Sequence, residues 1–274
     1  MNFKFTLSLN QDNEWFMDRH HFHENIEVLL SLSHAGSFFA DGQLFPLKRG
    51  TLILMQNTLL HKTIAHECEL YKRYVLHFSK DVLKKISTPQ SNLTEVMNSN
   101  VKCVHLNETE LNRLILHFEK SRTEAGNGFG CDLRRSISFV ELLLEISTHL
   151  TDKENTTATD NPDFNRLDPV IKYINNHLDE TLNLDLLSKR FFMNKYHLSR
   201  IFKSATGFTI MDYVINTRVL KAREYLRYGH SVQEAGELAG FNSNAHFIRT
   251  FGKISGQSPG KYMKAYRKNM SDSK

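Results

Sequence analysis

Two short basic stretches with the same spacing lie 49 residues apart in this chain of 274. His197, Leu198, Arg200, Phe202, Gly207 and Tyr213 of the first correspond to His246, Phe247, Arg249, Phe251, Gly256 and Tyr262 of the second. In the first, Leu198, Ile201, Phe202 and Ala205 recur at i, i+3, i+4 and i+7, the apolar stripe of a helix, so that Lys195, Tyr196, Ser199, Arg200 and Lys203 face outward. In the second, Phe247, Thr250, Phe251 and Ile254 form the stripe, with Asn244, Ala245, Ile248, Arg249 and Lys253 on or beside the other face. A helix about 10–12 Å across fits a major groove roughly 12 Å wide, where an arginine donates two hydrogen bonds to a guanine edge. One such helix could be a bundle member with a solvated basic face. The duplication points instead to a double DNA reader.

A second set of reactive groups lies near the amino terminus: His21, His23 and Glu27, then His61 eleven residues after Gly50. The spacing resembles the cupin metal motif, H-x-H-x-x-x-E with a later histidine. Gln56 and Thr58, however, stand where the second cupin motif usually has Pro and Gly. Two imidazoles and a carboxylate can hold a divalent ion. They can equally hydrogen-bond a polar organic ligand, with Trp15 and Tyr71 as further lining, or simply pack at a barrel mouth. The reading taken is a ligand pocket at His21, His23, Glu27 and His61, without a metal or other cofactor.

The elements needed to hold these groups are visible in the intervening sequence. Ile26 to Phe78 contains short β-rich runs (IEVLLSLS, SFFA, QLFPL, TLILM, YKRYVLHF) punctuated by Gly36, Asp41-Gly42 and Gly50, which predicts a small barrel or sandwich. Asp41-Gly42 is a type I′ hairpin signal. Residues 107 to 124 predict a helix opened by a capping box at Asn107 and Glu110. Residues 131 to 150, with Leu133, Ile137, Val140, Leu144 and Leu150, predict a second. The apolar stripes of this hairpin could cover the barrel or pair with another chain. Residues 151 to 165 read as a polar linker, and Asp168-Pro169 as the start of the next helix.

Charge divides the same way. Residues 165–274 carry 18 Lys and Arg against 9 Asp and Glu, whereas residues 1–164 carry 17 against 21. Positive charge therefore gathers where the repeated helices are, as phosphate binding requires. No run reaches the roughly 18 apolar residues that span a bilayer, the start has no signal-peptide pattern, and Cys68, Cys103 and Cys131 match neither a disulfide framework nor a zinc knuckle. These features predict a cytoplasmic protein with no membrane partner.

In the basic half, Leu184 to Phe191 is a short helix turning through Phe192-Met193 into the first reader, capped by Asn194. Thr209 and Asp212 open a long helix ending at Gly229. Ser231 and Glu234 cap the helix before Gly240-Phe241, Asn242 and Ser243 start the second reader, and Ser258-Pro259 the last helix. Leu198-Ser199-Arg200-Ile201-Phe202-Lys203, Gly207, Arg218, Ala222, Gly240-Phe241, Phe247-Ile248-Arg249-Thr250-Phe251, Gly256, Ser258-Pro259 and Tyr262 make residues 166 to about 267 resemble the DNA-binding domain of AraC-family transcription regulators. The upstream barrel is similar to the cupin-like sensing domain many members carry.

The resemblance implies an α+β chain of two domains. Residues 1–150 would be a cupin-like β-barrel with a helical hairpin for sensing and dimerisation. After the linker at 151–165, residues 166–270 would be all-α, with two helix–turn–helix units. The long helix, roughly 19 residues or about 28 Å, would hold the readers on successive major grooves. Tyr196, Ser199 and Arg200, and Asn244, Ile248 and Arg249, would meet bases. Lys195, Lys203, Ser243 and Lys253 would hold phosphates. Gly236 stands where the family usually has Ala, which should loosen that helix by about 0.5–1 kcal/mol, and Gly252 replaces a usual Lys. Ala245 and Ile248 suit thymine methyl groups. The expected protein is a non-enzymatic, sequence-specific transcription activator working with RNA polymerase on double-stranded DNA, homodimeric, and responsive to a sugar or other polar metabolite. Two alternatives stay open: a ligand-independent dimeric regulator, and a metal-dependent cupin enzyme with a DNA-binding tail.

Overall fold

The computed structural model describes residues 3–12, 25–56, 59–65, 70–123, 128–154 and 162–271. Contacts divide the chain into two compact units, with the main division between Thr159 and Asp160. The amino-terminal unit opens with β1 (Phe5–Asp12), β2 (Ile26–Ser31), β3 (Gly36–Ala40), β4 (Gln43–Leu47), β5 (Thr51–Met55), β6 (His61–Ala65) and β7 (Tyr71–Phe78). The helices α1 (Lys80–Ile86) and α2 (Leu93–Val96), strand β8 (Val101–His105), and helices α3 (Glu108–Thr123) and α4 (Cys131–Asp152) follow.

Five strands form one sheet in the order β1-β7-β2-β5-β8, and three form another, β4-β3-β6. This is the two-sheet form of the expected barrel. Alternation divides the larger sheet into two faces. Leu29, Ile53, Met55, Tyr71 and Cys103 pack with Phe38, Ala40, Phe45 and Leu47 of the smaller sheet. Val28, Leu30, Leu52, Leu54, Tyr74, Leu76 and Phe78 pack outward against Leu111, Leu114 and Phe118 of α3 and Phe139, Leu142, Leu143, Ile146 and Leu150 of α4. Asp41 (φ 50°) and Gly42 (φ 74°) both adopt the left-handed conformation required by a two-residue type I′ turn between β3 and β4.

The helical hairpin decides between the two roles left open for its stripe on α4, as far as covering the sheet is concerned. Most of the stripe read from sequence on α4 points away from the sheet: Leu133, Ile137 and Leu144 are exposed, and a different set covers the barrel. Helix α4 is apolar on two faces, and periodicity alone does not say which one the sheet takes. One correction concerns the linker, read as residues 151–165. Helix α4 runs to Asp152, and α5 (Pro162–Asn176) begins ahead of Asp168-Pro169, with Pro169 inside it. Phe164 and Leu167 extend the buried stripe of Val170, Ile171 and Ile174, so packing carries the helix across the proline.

The second unit continues with α6 (Leu184–Arg190), α7 (Lys195–Thr206), α8 (Ile210–Arg227), α9 (Val232–Leu238), α10 (Asn244–Ser255) and α11 (Pro259–Ser271). The sequence repeat is a structural repeat. Helices α7 and α10 have 12 residues each and end on glycines at nearly the same left-handed angle, Gly207 at φ 74° and Gly256 at φ 70°. Phe202 of α7 meets Tyr213 edge-on at 5.6 Å and 70°, and Phe251 of α10 meets Tyr262 at 5.7 Å and 65°. The Ser231–Glu234 capping box forms in full. At Thr209 the hydroxyl accepts from the Asp212 backbone N–H and donates to its carboxylate, so the return bond to the cap backbone is not made.

Gly236 is not a slack position. A methyl group there would lie 2.7 Å from Cδ1 of Phe247, whose ring fills the space between α9 and α10. Gly236→Ala is expected to lower stability by about 1 kcal/mol. Overpacking against a core ring costs about 1–3 kcal/mol, more than the roughly 0.5–1 kcal/mol gained in helix propensity. Chemical denaturation of the full chain tests this, and an increase in stability would refute the packing account.

Candidate nucleic-acid interface and barrel interior

Both reader helices are anchored by one face and open on the other. Leu198, Ile201, Phe202 and Ala205 of α7 are buried, as are Phe247 and Phe251 of α10. Tyr196, Arg200 and Lys203 are exposed and Ser199 is partly so, while Ser243, Asn244, Ile248, Arg249 and Lys253 are all exposed. The Asn194 side chain accepts from the backbone N–H groups of Tyr196 (2.9 Å) and His197 (3.4 Å), fixing where α7 begins. Ser243 does the same for α10 through His246 N–H at 3.3 Å, so its hydroxyl oxygen is a cap as well as a candidate phosphate contact. Lys195 is ion-paired with Asp185 of the preceding helix, and both side chains remain largely exposed. At Gly252 an added side chain would meet open space, so glycine there leaves a gap in the row of basic groups.

Helix α8 ties the two units of the reader domain together. At its start, the Tyr213 hydroxyl donates to Asn175 of α5 at 3.0 Å. At its end, Arg227 Nε donates to the Tyr262 hydroxyl at 2.7 Å, and the Arg223 guanidinium lies 5.0 Å from the same ring. Midway, Arg218 donates from Nε to the Leu178 carbonyl (2.8 Å) and from Nη2 to the Glu180 carbonyl (2.6 Å). Burial pulls the Arg218 pKa down, and Asp179 opposes that. Gly240, in the turn between α9 and α10, lies against the same carbonyl: a Cβ there would be 1.9 Å from Leu178 O and 2.9 Å from Arg218 Nε. Its φ of 88° also favours glycine. Arg218 thus joins the long helix, the segment entering the first helix–turn–helix, and the turn of the second.

His21, His23 and Trp15 lie outside the described residues. Glu27 and His61 are both buried, on β2 and β6. The partner that strand register gives Glu27 is His77 of β7, directly opposite it, with Nε2 to Oε2 at 3.1 Å. On the same face Ser31 is opposite Arg73, and the buried Arg73 guanidinium lies 4.5 Å from the Tyr71 ring. Burial pushes the Tyr71 phenol above its ordinary pKa, while Arg73 and hydrogen bonding by Thr63 and Ser31 pull it down. The inter-sheet face is therefore polar at Glu27, His77, Arg73, Tyr71 and Ser31, with Leu29 and Ile53 between them. Sequence reading missed Arg73 and His77. Period-two alternation of YKRYVLHF from the expected Tyr71 would have found both. Among the described residues, no group of three or more His, Cys, Asp or Glu side chains is placed to hold a metal ion, and no helix is long and apolar enough to cross a membrane.

Removing the Arg218 head group leaves two carbonyls without their donors. Arg218→Met is expected to cost about 1.5–3 kcal/mol, the range for hydrogen bonds to a charged group, in denaturant unfolding of the full chain. Unchanged stability would show that the junction is held by packing alone.

Comparison with known proteins matches both halves. Residues 2–143 match the family described as AraC-like ligand binding domain, and residues 187–265 match that described as Helix-turn-helix domain. The HTH-type transcriptional activator RhaS of Escherichia fergusonii is 25% identical over 246 residues, 87% of this chain and 85% of the relative. RhaS of Escherichia coli is 24% identical over the same shares. Among solved structures, the DNA-binding domain of AdpA in complex with a target DNA is 31% identical over 38% of this chain and 95% of that one, with a TM-score of 0.37. ToxT of Vibrio cholerae with bound unsaturated fatty acid is 11% identical over 94% of each chain, with a TM-score of 0.40. With a ligand-binding domain followed by a helix–turn–helix domain, the chain belongs to the AraC family and is a ligand-responsive, DNA-binding transcription regulator.

Proposed function

We propose that this regulator reads DNA with Tyr196, Ser199 and Arg200 of α7 and with Asn244, Ile248 and Arg249 of α10, and steadies itself on phosphates through Lys195, Lys203, Ser243 and Lys253. The observation that carries this reading is the exposed pair Arg200 and Arg249, each one turn or less from the same buried aromatic anchor of its helix. Helix α10 offers an apolar side chain, Ile248, beside its arginine, and lacks a cation at Gly252. It is the weaker specificity element of the two. The similarity to RhaS supports activation as the direction of regulation, acting with RNA polymerase in the cytoplasm and without an enzymatic reaction.

The effector class follows from the polar face of β2 and β7. Glu27 accepts hydrogen bonds, Arg73 donates them, and Tyr71 and Ser31 can do both, a mixture suited to a polyhydroxylated metabolite. Dimerisation is assigned to the outward side of the hairpin. Leu133, Ile137, Val140 and Leu144 repeat at four- and three-residue intervals, a heptad seam, and Leu133, Ile137 and Leu144 are exposed with Leu116 of α3. Arg134 and Glu141 flank the seam. In an antiparallel pairing of two copies, each arginine approaches the other chain's glutamate, which Lys120 of its own chain already holds at 2.6 Å.

Selection of bound DNA from a random pool by the full chain should return two half-sites of unequal information. On the selected duplex, Arg200→Ala should cost about 1–3 kcal/mol, as expected for a bidentate base contact, with little change on random DNA. Equal losses on both would reduce Arg200 to a phosphate contact. Ile137→Glu places a charge in the seam and should convert the dimer to a monomer in sedimentation, with the fold intact. A variant that stays dimeric would move the interface elsewhere.

A further inference from the structure

Among the described residues, only two other than glycine have positive φ, Asp41 and Phe192. Asp41 is accounted for by its hairpin. Phe192, at φ 53°, is not. It follows the end of α6, where Met193 N–H bonds back to the Ser188 carbonyl at 2.9 Å and Phe192 N–H to the Lys189 carbonyl at 3.4 Å. In the second helix–turn–helix, Phe241 N–H bonds to the Gly236 carbonyl at 3.0 Å and Gly240 N–H to the Glu237 carbonyl at 2.9 Å. These are the same helix-ending motif, in which the left-handed residue is usually glycine. The second copy has glycine there, and the first has phenylalanine.

The phenylalanine ring is not buried within the fold. A β-carbon in the left-handed region is strained where glycine is not, and the ring that accompanies it is 97% exposed. A strained residue with its side chain in water is a sign of function when nothing internal compensates it. Its position indicates the function. Phe192 lies two residues before Asn194, the cap of the first reader, and Tyr196, in the first turn of that reader, is 80% exposed. Lys189, Arg190 and Lys195 flank Phe192 in the chain and are exposed, Arg190 over the Tyr173 ring and Lys195 paired with Asp185, so the turn is net basic and suited to a polyanion. The amino-terminal end of a helix–turn–helix reader is the end that meets base edges, and the apolar feature on a major-groove edge is the C5-methyl group of thymine.

We propose that Phe192, with Tyr196, extends the first reader as an apolar wall that contacts a thymine methyl group at the border of its half-site. The proposal rests on α7 being a DNA reader, and adds a turn residue to its specificity. It gives a role to a phenylalanine at a turn position where the second copy has glycine.

The test uses the full chain, the duplex selected from a random pool, and the same duplex with uracil in place of the thymines of the α7 half-site alone. Phe192→Gly relieves the strain, so its melting temperature should rise, while its affinity for the thymine duplex should fall at least five-fold. The native chain should bind the uracil duplex less well, and Phe192→Gly should lose most of that difference. Phe192→Asn, which tolerates the left-handed conformation without glycine's flexibility, should behave like Phe192→Gly in binding. Undiminished affinity in both variants, or an unchanged preference for thymine over uracil, would overturn the proposal. Arg200→Ala, measured alongside, separates the two levels. If it loses affinity while both Phe192 variants do not, α7 remains a reader and only the aromatic wall is lost. If it too binds normally, the reading of α7 itself fails.

Discussion

The carboxy-terminal unit depends on a single helix being rigid and gripped at several points. Helix α8 carries Tyr213 into the edge-on contact with Phe202, presents Arg223 and Arg227 to Tyr262, whose ring makes the matching contact with Phe251, and between them extends Arg218 to two backbone carbonyls. The first reader is thus fixed to α8 directly by its Phe–Tyr ring pair, and the second through the equivalent pair on α11, whose Tyr262 is bonded to Arg227 of α8. A ring pair met edge-on is directional as well as apolar, so it sets the angle of the helix it anchors. Gly240 completes the arrangement, because only a residue without a side chain lets the second turn close over the Leu178 carbonyl.

The two copies of the reader have diverged around this shared anchor in ways that fit a division of labour. The first keeps Lys195, Arg200 and Lys203 on its open face and accepts a strained, exposed Phe192. The second has an apolar Ile248 beside Arg249, a glycine at 252, and the relaxed Gly240 in its turn. Where the anchor is concerned the copies agree closely, and the differences gather on the surface that meets solvent. Packing constrains the buried face, whereas partners shape the exposed one.

The amino-terminal unit shows a similar separation between the two faces of one sheet. One face is mainly apolar and lies under the helical hairpin, with Lys102 reaching the Leu150 carbonyl. The other has Glu27, His77, Arg73, Tyr71 and Ser31 interspersed with Leu29 and Ile53. Burying a guanidinium and a carboxylate in a small domain is costly unless they are bonded. On the inter-sheet face Glu27 meets that cost through His77, and Arg73 lies against the Tyr71 ring.

Much of this was legible in the sequence because it depends on local chemistry. The 49-residue repeat, the caps at Asn194, Ser231 and Ser243, the Asp41-Gly42 turn and the exposed faces of both readers follow from residue type and helical or strand period, which neighbours along the chain determine. What sequence left undetermined depends on which surfaces meet. Strands β1, β6 and β8 lack distinctive punctuation and become strands by pairing with distant partners. Helix α4 has two apolar stripes, and only the sheet beneath it decides which is buried. Glycine at 236 reads as a loose point until the Phe247 ring is seen filling its place, and the opposition of Glu27 to His77 exists only once β2 and β7 are in register. Periods and caps are encoded within a few residues of one another; the choice of faces and registers belongs to contacts between segments far apart in the chain.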